Sequence, residues 1–420
     1  MITISVIKLF EHQDKVLNQT YHQNRVAYYL DMGLGKTFVG SEKMYELNTP
    51  YNLVICQKSK ISDWKEHFKE FYPTYKVVIF NKQSLDIIPE ETVLIVNYDK
   101  VWRRPELLKL NNFTMMLDES SLIKNEKSSR SKFILQLKAT NVILLSGTPT
   151  GGKYEELWSQ LHLLGWTISK KLYIKQYVEQ EWDEENGGFK IIGYKNVERL
   201  KQKLRIHGAV FMKTEEVFNL PPQNEVLIKL PNTKEYKHFQ SENVAQIKGE
   251  LFVGDSVAKS LLGTRLLAGY LNQHKVSKLK DMITSTNDRL IIFYNYKAEY
   301  EEIKKLCDEL SRPVATMNGS LKDMSNYDKH ENSISLIQYQ AGAMGLNLQK
   351  ANKIIYFTLP LSSELFEQSK KRTHRIGQEK PCFYYYMLVL GTIEWHILET
   401  LKMRKDYTDD LFIEKEVSYE

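Results

Sequence analysis

Leu30-Asp31-Met32-Gly33-Leu34-Gly35-Lys36-Thr37 decides the reading of this chain. An apolar β-type run, Val26-Ala27-Tyr28-Tyr29-Leu30, leads into it, and a helix-compatible run from Phe38 to Leu47 follows. A strand, a glycine turn ending in Gly-Lys-Thr and a new helix form a phosphate cradle. Gly33, Leu34 and Gly35 offer backbone N–H groups, and the helix points its positive end at the same place. Lys36 is placed to reach the β and γ phosphates, and Thr37 to hold Mg2+. The expected ligand is ATP with Mg2+. Leu30 stands where the full pattern has a further glycine.

Composition sets the frame. The chain has 420 residues, enough for two or three domains. Its 42% hydrophobic and 26% charged content fits a folded protein and not a disordered one. No apolar run is long enough to cross a bilayer, and Met1–Phe10 lacks a signal-peptide pattern, so the expected place is the cytoplasm. Cys56, Cys307 and Cys382 lie far apart without partners at zinc spacing, which argues for a reducing compartment. The net charge of +6 is compatible with a polyanion partner. The 25 tyrosines read mainly as packing, although aromatic residues beside lysines can stack on bases.

Apolar runs alternate with helical ones around the cradle. Leu53–Cys56, Val77–Phe80, Val93–Val96, Met115–Leu117 and Val142–Leu145 read as buried parallel strands. Ile61–Phe71, Lys132–Leu137 and Glu155–Leu164 read as helices. From Gly165 to Lys275 the pattern becomes mostly helical, broken at Gly187-Gly188 and Pro221-Pro222. The alternation returns with strands Leu290–Tyr294, Ser335–Gln338, Lys353–Phe357 and Phe383–Val389, and helices Lys297–Leu310 and Leu365–Lys371. The fold class is therefore α/β, with two parallel-sheet lobes. The expected domains are 1–165, a helical insertion and connector at 166–275, a second lobe at 276–405, and a charged, frayed tail at 406–420.

Two adjacent carboxylates, Asp118 and Glu119, end an apolar strand. There Asp118 would bind Mg2+ through its water shell, and Glu119 would orient and deprotonate the attacking water. Ser146-Gly147-Thr148-Pro149 ends another strand in a tight turn. Far downstream, Arg372 and Arg375 lie three apart in Gln368-Ser369-Lys370-Lys371-Arg372-Thr373-His374-Arg375-Ile376-Gly377-Gln378, on one expected helix face. Their guanidinium groups suit the charge on a transferring phosphoryl group.

Taken together and in order, Gly-Leu-Gly-Lys-Thr, Asp-Glu-x-x-x-Ile-Lys-Asn, Ser-Gly-Thr-Pro, Gly-Leu-Asn-Leu and Gln-x-x-x-Arg-x-His-Arg-Ile-Gly-Gln resemble the superfamily 2 helicases. Ile123-Lys124-Asn125, Glu156-Leu157-Trp158, His374–Gln378 and Gly391-Thr392-Ile393-Glu394 resemble the Swi/Snf-type DNA translocases. The resemblance runs from Leu9 to Lys405. It implies two RecA-like lobes and a motor that tracks double-stranded DNA without separating the strands. It places Gln13 at the adenine. It places Lys58, Ser59, Trp64 and Tyr98 along the DNA track of the first lobe, with Thr148 coupling that track to the nucleotide. Asn295, Gly319, Gln340 and Asn347 fall in the matching segments of the second lobe. Gln368, Arg372 and Arg375 would reach the phosphates across a cleft.

The chain departs from the family pattern in four places. Ser121 replaces the usual His after the acidic pair, Gly152 replaces an Asn, Gly342-Ala343-Met344-Gly345 replaces Gly-Gly-x-Gly, and Lys371 replaces an Asp. None removes a catalytic atom, and the set resembles compact bacterial or phage members. The expected setting is a monomer at the nucleoid of a bacterial or phage-infected cell. A protein partner could dock on the helical insertion. Alternative readings are a strand-separating DNA or RNA helicase and an ATP-gated module that recruits a partner. A nucleotide kinase shares the phosphate loop alone.

Overall fold

The computed structural model describes residues 7–81, 85–184, 187–247, 249–342 and 346–412. The chain forms two compact units, Met1–Phe218 with Asp406–Glu420, and Asn219–Lys405.

The first unit is built on seven strands: β1 (Arg25–Leu30), β2 (Tyr51–Cys56), β3 (Lys76–Ile79), β4 (Thr92–Asn97), β5 (Phe113–Asp118), β6 (Asn141–Leu145) and, after the hairpin β7 (Val178–Asp183) and β8 (Gly188–Tyr194), β9 (Ala209–Met212). The sheet order is β3-β4-β2-β5-β6-β1-β9, with every pairing parallel. Alternate residues feed two separate cores. Leu53, Ile55, Leu94, Met115, Leu117 and Leu144 pack on one face. Val54, Val93, Ile95, Met116, Ile143 and Leu145 pack on the other. A strand buried on both faces needs apolar residues at every position, which is why these strands read as continuous runs.

The second unit holds β10 (Gln223–Leu230), the hairpin β11 (Val244–Ile247) and β12 (Glu250–Val253), then β13 (Leu290–Tyr294), β14 (Val314–Met317), β15 (Lys322–Asp323), β16 (Ile334–Gln338), β17 (Lys353–Tyr356) and β18 (Cys382–Val389). Its sheet order is β10-β18-β17-β13-β16-β14-β15, parallel except for β15 against β14. One face carries an aromatic ladder. Phe293 and Tyr386 stack on Tyr356 at 5.6 and 5.2 Å with interplanar angles of 21° and 13°. Tyr339 and Tyr384 extend the ladder at either end. Many tyrosines are therefore core packing, as their number suggested.

The segment 166–275, expected as a helical insertion, contains six strands beside its helices, and the two units divide it at Phe218. β9 becomes the edge of the first sheet and β10 the edge of the second. An edge strand pairs on one side and needs no continuous apolar run, so β10, exposed along most of its length, shows none. Gly187-Gly188 belongs to the β7–β8 turn. The tail expectation also changes. Tyr407 and Asp410 are held by the Tyr154 hydroxyl, which donates to the Tyr407 carbonyl at 2.8 Å. Lys201 pairs with Asp410 at 2.7 Å. Residues 413–420 lie outside the described residues.

Candidate functional site

The phosphate loop leaves β1 after Leu30 and turns through Gly33 (φ +93°) and Gly35 (φ +75°) into the helix Lys36–Leu47. These left-handed φ values suit glycine, which has no Cβ to clash. Lys36 Nζ donates to the Leu30 carbonyl at 2.7 Å and the Asp31 carbonyl at 3.0 Å. The ammonium thus lies folded over the loop that a phosphate would occupy. Thr37 opens the same helix, and its carbonyl accepts a bond from Ser41 Oγ.

The helix Glu11–Gln19 covers this loop. Gln13 Oε1 accepts from Phe10 N–H at 2.9 Å, and Gln13 Nε2 donates to the Leu34 carbonyl at 3.2 Å. His12 Nε2 meets the same carbonyl at 3.1 Å. Gln13 therefore reaches the loop itself. His12 has no signal in the sequence beyond its place beside Gln13.

Asp118 ends β5 and Glu119 follows it, two strands from β1 across β6. Asp118 Oδ2 accepts from Trp64 Nε1 at 2.8 Å. Burial raises its carboxyl above the usual range, opposed by that hydrogen bond and by the charges of Lys36 and Lys60. Glu119 is left-handed (φ +58°), and Ser146 Oγ donates to its Oε2 at 3.3 Å. Gly147, two residues beyond β6, has no side chain; a Cβ there would lie 3.4 Å from Lys36 Nζ. Loop, acidic pair and Ser-Gly-Thr-Pro turn therefore meet at the C-terminal ends of β1, β5 and β6.

Among the described residues no three His, Cys, Asp or Glu side chains group as a metal cage. Thr37 and Asp118 are a donor set suited to Mg2+, which keeps several waters and takes few protein ligands beside substrate phosphates.

Two residues expected on the DNA track belong to this site. Trp64 is 3% exposed on the helix Ile61–Phe71, and Tyr98 is 2% exposed, its hydroxyl donating to the Asp118 carbonyl at 3.0 Å. The amphipathic helix turns the indole inward, so both rings lie behind the acidic pair. Lys58 and Ser59 are exposed on the short turn that precedes the helix. Thr148 is buried, its Oγ1 without a hydrogen-bond partner among the described residues.

Gln160 is a linking residue that the sequence reading missed. Its Oε1 accepts from Ser120 Oγ at 2.7 Å and from the Tyr29 hydroxyl at 3.0 Å, and its Nε2 donates to the Pro149 carbonyl at 2.7 Å. It ties the turn after the acidic pair to the Thr-Pro turn in a chain that lacks the usual His.

In the second unit, Asn295 and Gln340 line a cavity of about 220 Å3 with Arg265, Gln338 and Ser362. Asn295 Nδ2 donates to Thr358 and to the Leu359 carbonyl. Gly319 and Asn347 are exposed and do not line this cavity. The Gly342–Gly345 departure falls on residues 343–345, outside the described residues.

Gln368 is buried on the helix Ser363–Lys370. That helix ends at Lys370, so Arg372 and Arg375 occupy a run of turns and not a helix face. Gly377 is left-handed (φ +91°), and Gln378 Nε2 bonds the carbonyls of Gln349, Ala351 and Thr373, folding the segment back. His374 Nε2 meets the Pro221 carbonyl at 2.8 Å. Burial lowers the Arg375 pKa, and its Nε has no hydrogen-bond partner among the described residues. Glu394, in the closing motif, is fully enclosed in an ion pair with Lys275.

A strand, a Gly-Lys-Thr loop and a helix beside a paired carboxylate on a parallel sheet, and a second parallel sheet carrying an arginine turn, are the arrangement of a helicase-like ATPase core. The model of the SNF2-related domain matches residues 3–280, and that of the helicase conserved C-terminal domain matches 274–377. The chain belongs to the SNF2-related family of helicase-like ATPases. It is 25% identical over 90% of its length to the human SWI/SNF-related matrix-associated actin-dependent regulator of chromatin subfamily A member 1. It is 26% identical over 91% to the putative ATP-dependent helicase/translocase YwqA of Bacillus subtilis. It spans 41% and 46% of those two proteins, less than half of each. The Sulfolobus solfataricus SWI2/SNF2 ATPase core, solved in complex with dsDNA, is similar over 96% of this chain and 92% of that one, at 21% identity and a TM-score of 0.46.

Proposed function

We propose that the chain is an ATP-dependent translocase on double-stranded DNA. The observation that carries the ATPase part is the convergence of Lys36, Asp118, Glu119 and Gly147 at three neighbouring strand ends. Membership of the SNF2-related family supports DNA as the track. Bound Mg2+–ATP supplies the transferable phosphoryl group and the metal charge that neutralises it. The chain's residues do the rest. Lys36 exchanges the Leu30 and Asp31 carbonyls for phosphate oxygens. Thr37 and Asp118 hold Mg2+. Glu119 orients and deprotonates water. Arg372 and Arg375 neutralise the transferring group, and Gln13 and Gln368 help hold the nucleotide. The exposed Lys58 and Ser59, and the cavity residues Asn295 and Gln340, contact the phosphate backbone, which makes tracking sequence-independent. Gly319, Asn347 and Thr148 act with them.

Steady-state ATP hydrolysis at one fixed salt concentration tests this. Strong stimulation by duplex DNA is expected. Preference for single strands or RNA would replace the translocase with a strand-separating helicase.

One observation favours an added docking role for the segment 166–275. The β7–β8 hairpin exposes Trp182 (57%), Phe189 (68%) and Ile192 (55%). Glu179, Glu181, Asp183 and Glu184 lie on the same hairpin with Lys190, which stands opposite Glu181, an acidic excess that suits a basic protein surface and disfavours a phosphate backbone. Trp182→Ser with Phe189→Ser is expected to leave DNA-stimulated hydrolysis unchanged; a fall would assign the hairpin to the motor.

A further inference from the structure

The helix Ile61–Phe71 touches Asp118, one of the two residues assigned to Mg2+, and reaches the other, Thr37, through Ser41. Trp64 Nε1 donates to Asp118 Oδ2 at 2.8 Å. One turn on, His67 Nε2 meets Ser41 Oγ at 2.7 Å, and that hydroxyl donates to the Thr37 carbonyl. The Trp64 and His67 rings pack edge to face at 5.7 Å, so the two contacts come from one packed stretch of the helix. Phe68 stacks on the indole at 5.7 Å and is itself buried. The helix begins at the residue after the exposed turn Lys58–Lys60.

A carboxylate can rotate about its last bond. A single N–H bond to Oδ2 fixes the plane and thereby the direction of Oδ1. Partners behind a metal ligand typically alter metal affinity or activity about 10- to 100-fold when removed. Here that partner stands on the element whose first residues follow the exposed basic turn.

We propose that Trp64 is a positioning residue that sets the Asp118 carboxylate for Mg2+, and that through it the helix Ile61–Phe71 couples occupancy of the Lys58–Lys60 turn to metal binding. The coupling half rests on the proposal that duplex DNA occupies that turn; the positioning half does not. When DNA grips the turn, the helix steadies, the indole holds Asp118, and the metal site is set for hydrolysis. This gives DNA stimulation a physical route within one unit.

The experiment uses the full chain with benzothienylalanine at position 64, which keeps the bicyclic shape and lacks the N–H, beside Trp64→Phe. Manganese binding to the ADP complex is followed by electron paramagnetic resonance. Metal-free ADP affinity and duplex-DNA affinity are measured in parallel. The expected result is Mn2+ affinity weakened about tenfold, a lower ratio of DNA-stimulated to basal hydrolysis, and unchanged metal-free ADP and DNA affinity. Unchanged Mn2+ affinity would overturn the positioning role. Weakened Mn2+ affinity with a wild-type stimulation ratio would overturn the coupling. If the unaltered protein shows no DNA stimulation, the translocase reading fails by itself, and the Mn2+ titration still decides the role of Trp64.

Discussion

Ser120 Oγ donates to Gln160 Oε1 at 2.7 Å, and the same amide donates from its nitrogen to the Pro149 carbonyl at 2.7 Å. One fully buried side chain thus joins the residue after the acidic pair to the turn after β6. Gln160→Leu keeps the volume and leaves Ser120 and Tyr29 hydroxyls unsatisfied, at about 1–3 kcal/mol for each. The variant is expected to unfold at lower denaturant concentration. If the bridge carries coupling, DNA stimulation of hydrolysis falls while basal hydrolysis persists.

Three substitutions separate the steps of the proposed reaction. Lys36→Ala removes the phosphate clamp and is expected to lower ATP turnover by about 10²-fold or more. Glu119→Gln is expected to bind ATP and lose about 10²–10⁴-fold in hydrolysis, as loss of a general base does. Arg375→Ala is expected to keep nucleotide affinity within a few-fold and to lose turnover by about 10³-fold or more. Single-turnover hydrolysis with equilibrium nucleotide binding distinguishes the three; a full rate for Arg375→Ala would remove that residue from the chemistry.

Gly35 disfavours a side chain for two independent reasons. Its φ of +75° costs an L-residue about 1–2 kcal/mol, and a Cβ would lie 2.0 Å from Gln13 Nε2. Gly35→Ala should therefore push Gln13 off the loop and weaken nucleotide binding. Gly33→Ala shares the positive φ but meets open space, so it should weaken binding less. Titration of a fluorescent ATP analogue ranks the two.

His67 titrates well below an ordinary histidine, at about 4, because burial disfavours its charged form. The unfolded chain protonates this ring near 6.5. The folded state therefore binds fewer protons between those values, and the contribution is complete above about 6.5 and lost as pH falls toward 4. His67→Gln should flatten that part of the slope. Urea midpoints at several pH values, compared between the two proteins, give the difference directly.

What the sequence disclosed follows from how each element is buried. β1, β2, β4, β5 and β6 are closed in on both faces, so each is a near-continuous apolar run. β9 and β10 escaped notice because their strand state comes from pairing with β1 and β18, partners far away in the chain. The Gly-Lys-Thr loop and the Asp118–Glu119 pair are local patterns, so position in the chain was enough to find them. The contacts His12–Leu34, Gln160–Ser120 and Trp64–Asp118 are tertiary, joining residues 22 to 54 positions apart. The arginine turn reads as helix because Arg372 and Arg375 keep helical spacing; Gly377 and the hydrogen bonds that Gln378 Nε2 shares among three carbonyls decide against it.

The aromatic ladder on the second sheet gives this chain a built-in spectroscopic label. Five of its six tryptophans, Trp64, Trp102, Trp158, Trp166 and Trp182, lie in the first unit. Tyr339, Tyr356, Tyr384 and Tyr386 stand close and nearly parallel in the second. Tryptophan emission therefore weighs the first unit, while coupled tyrosine transitions in near-ultraviolet circular dichroism sum this ladder with the first unit's Tyr154–Tyr194 and Tyr173–Tyr177 pairs and so report both units. Melting unlabelled protein at both signals shows whether the units lose their packing together or in turn.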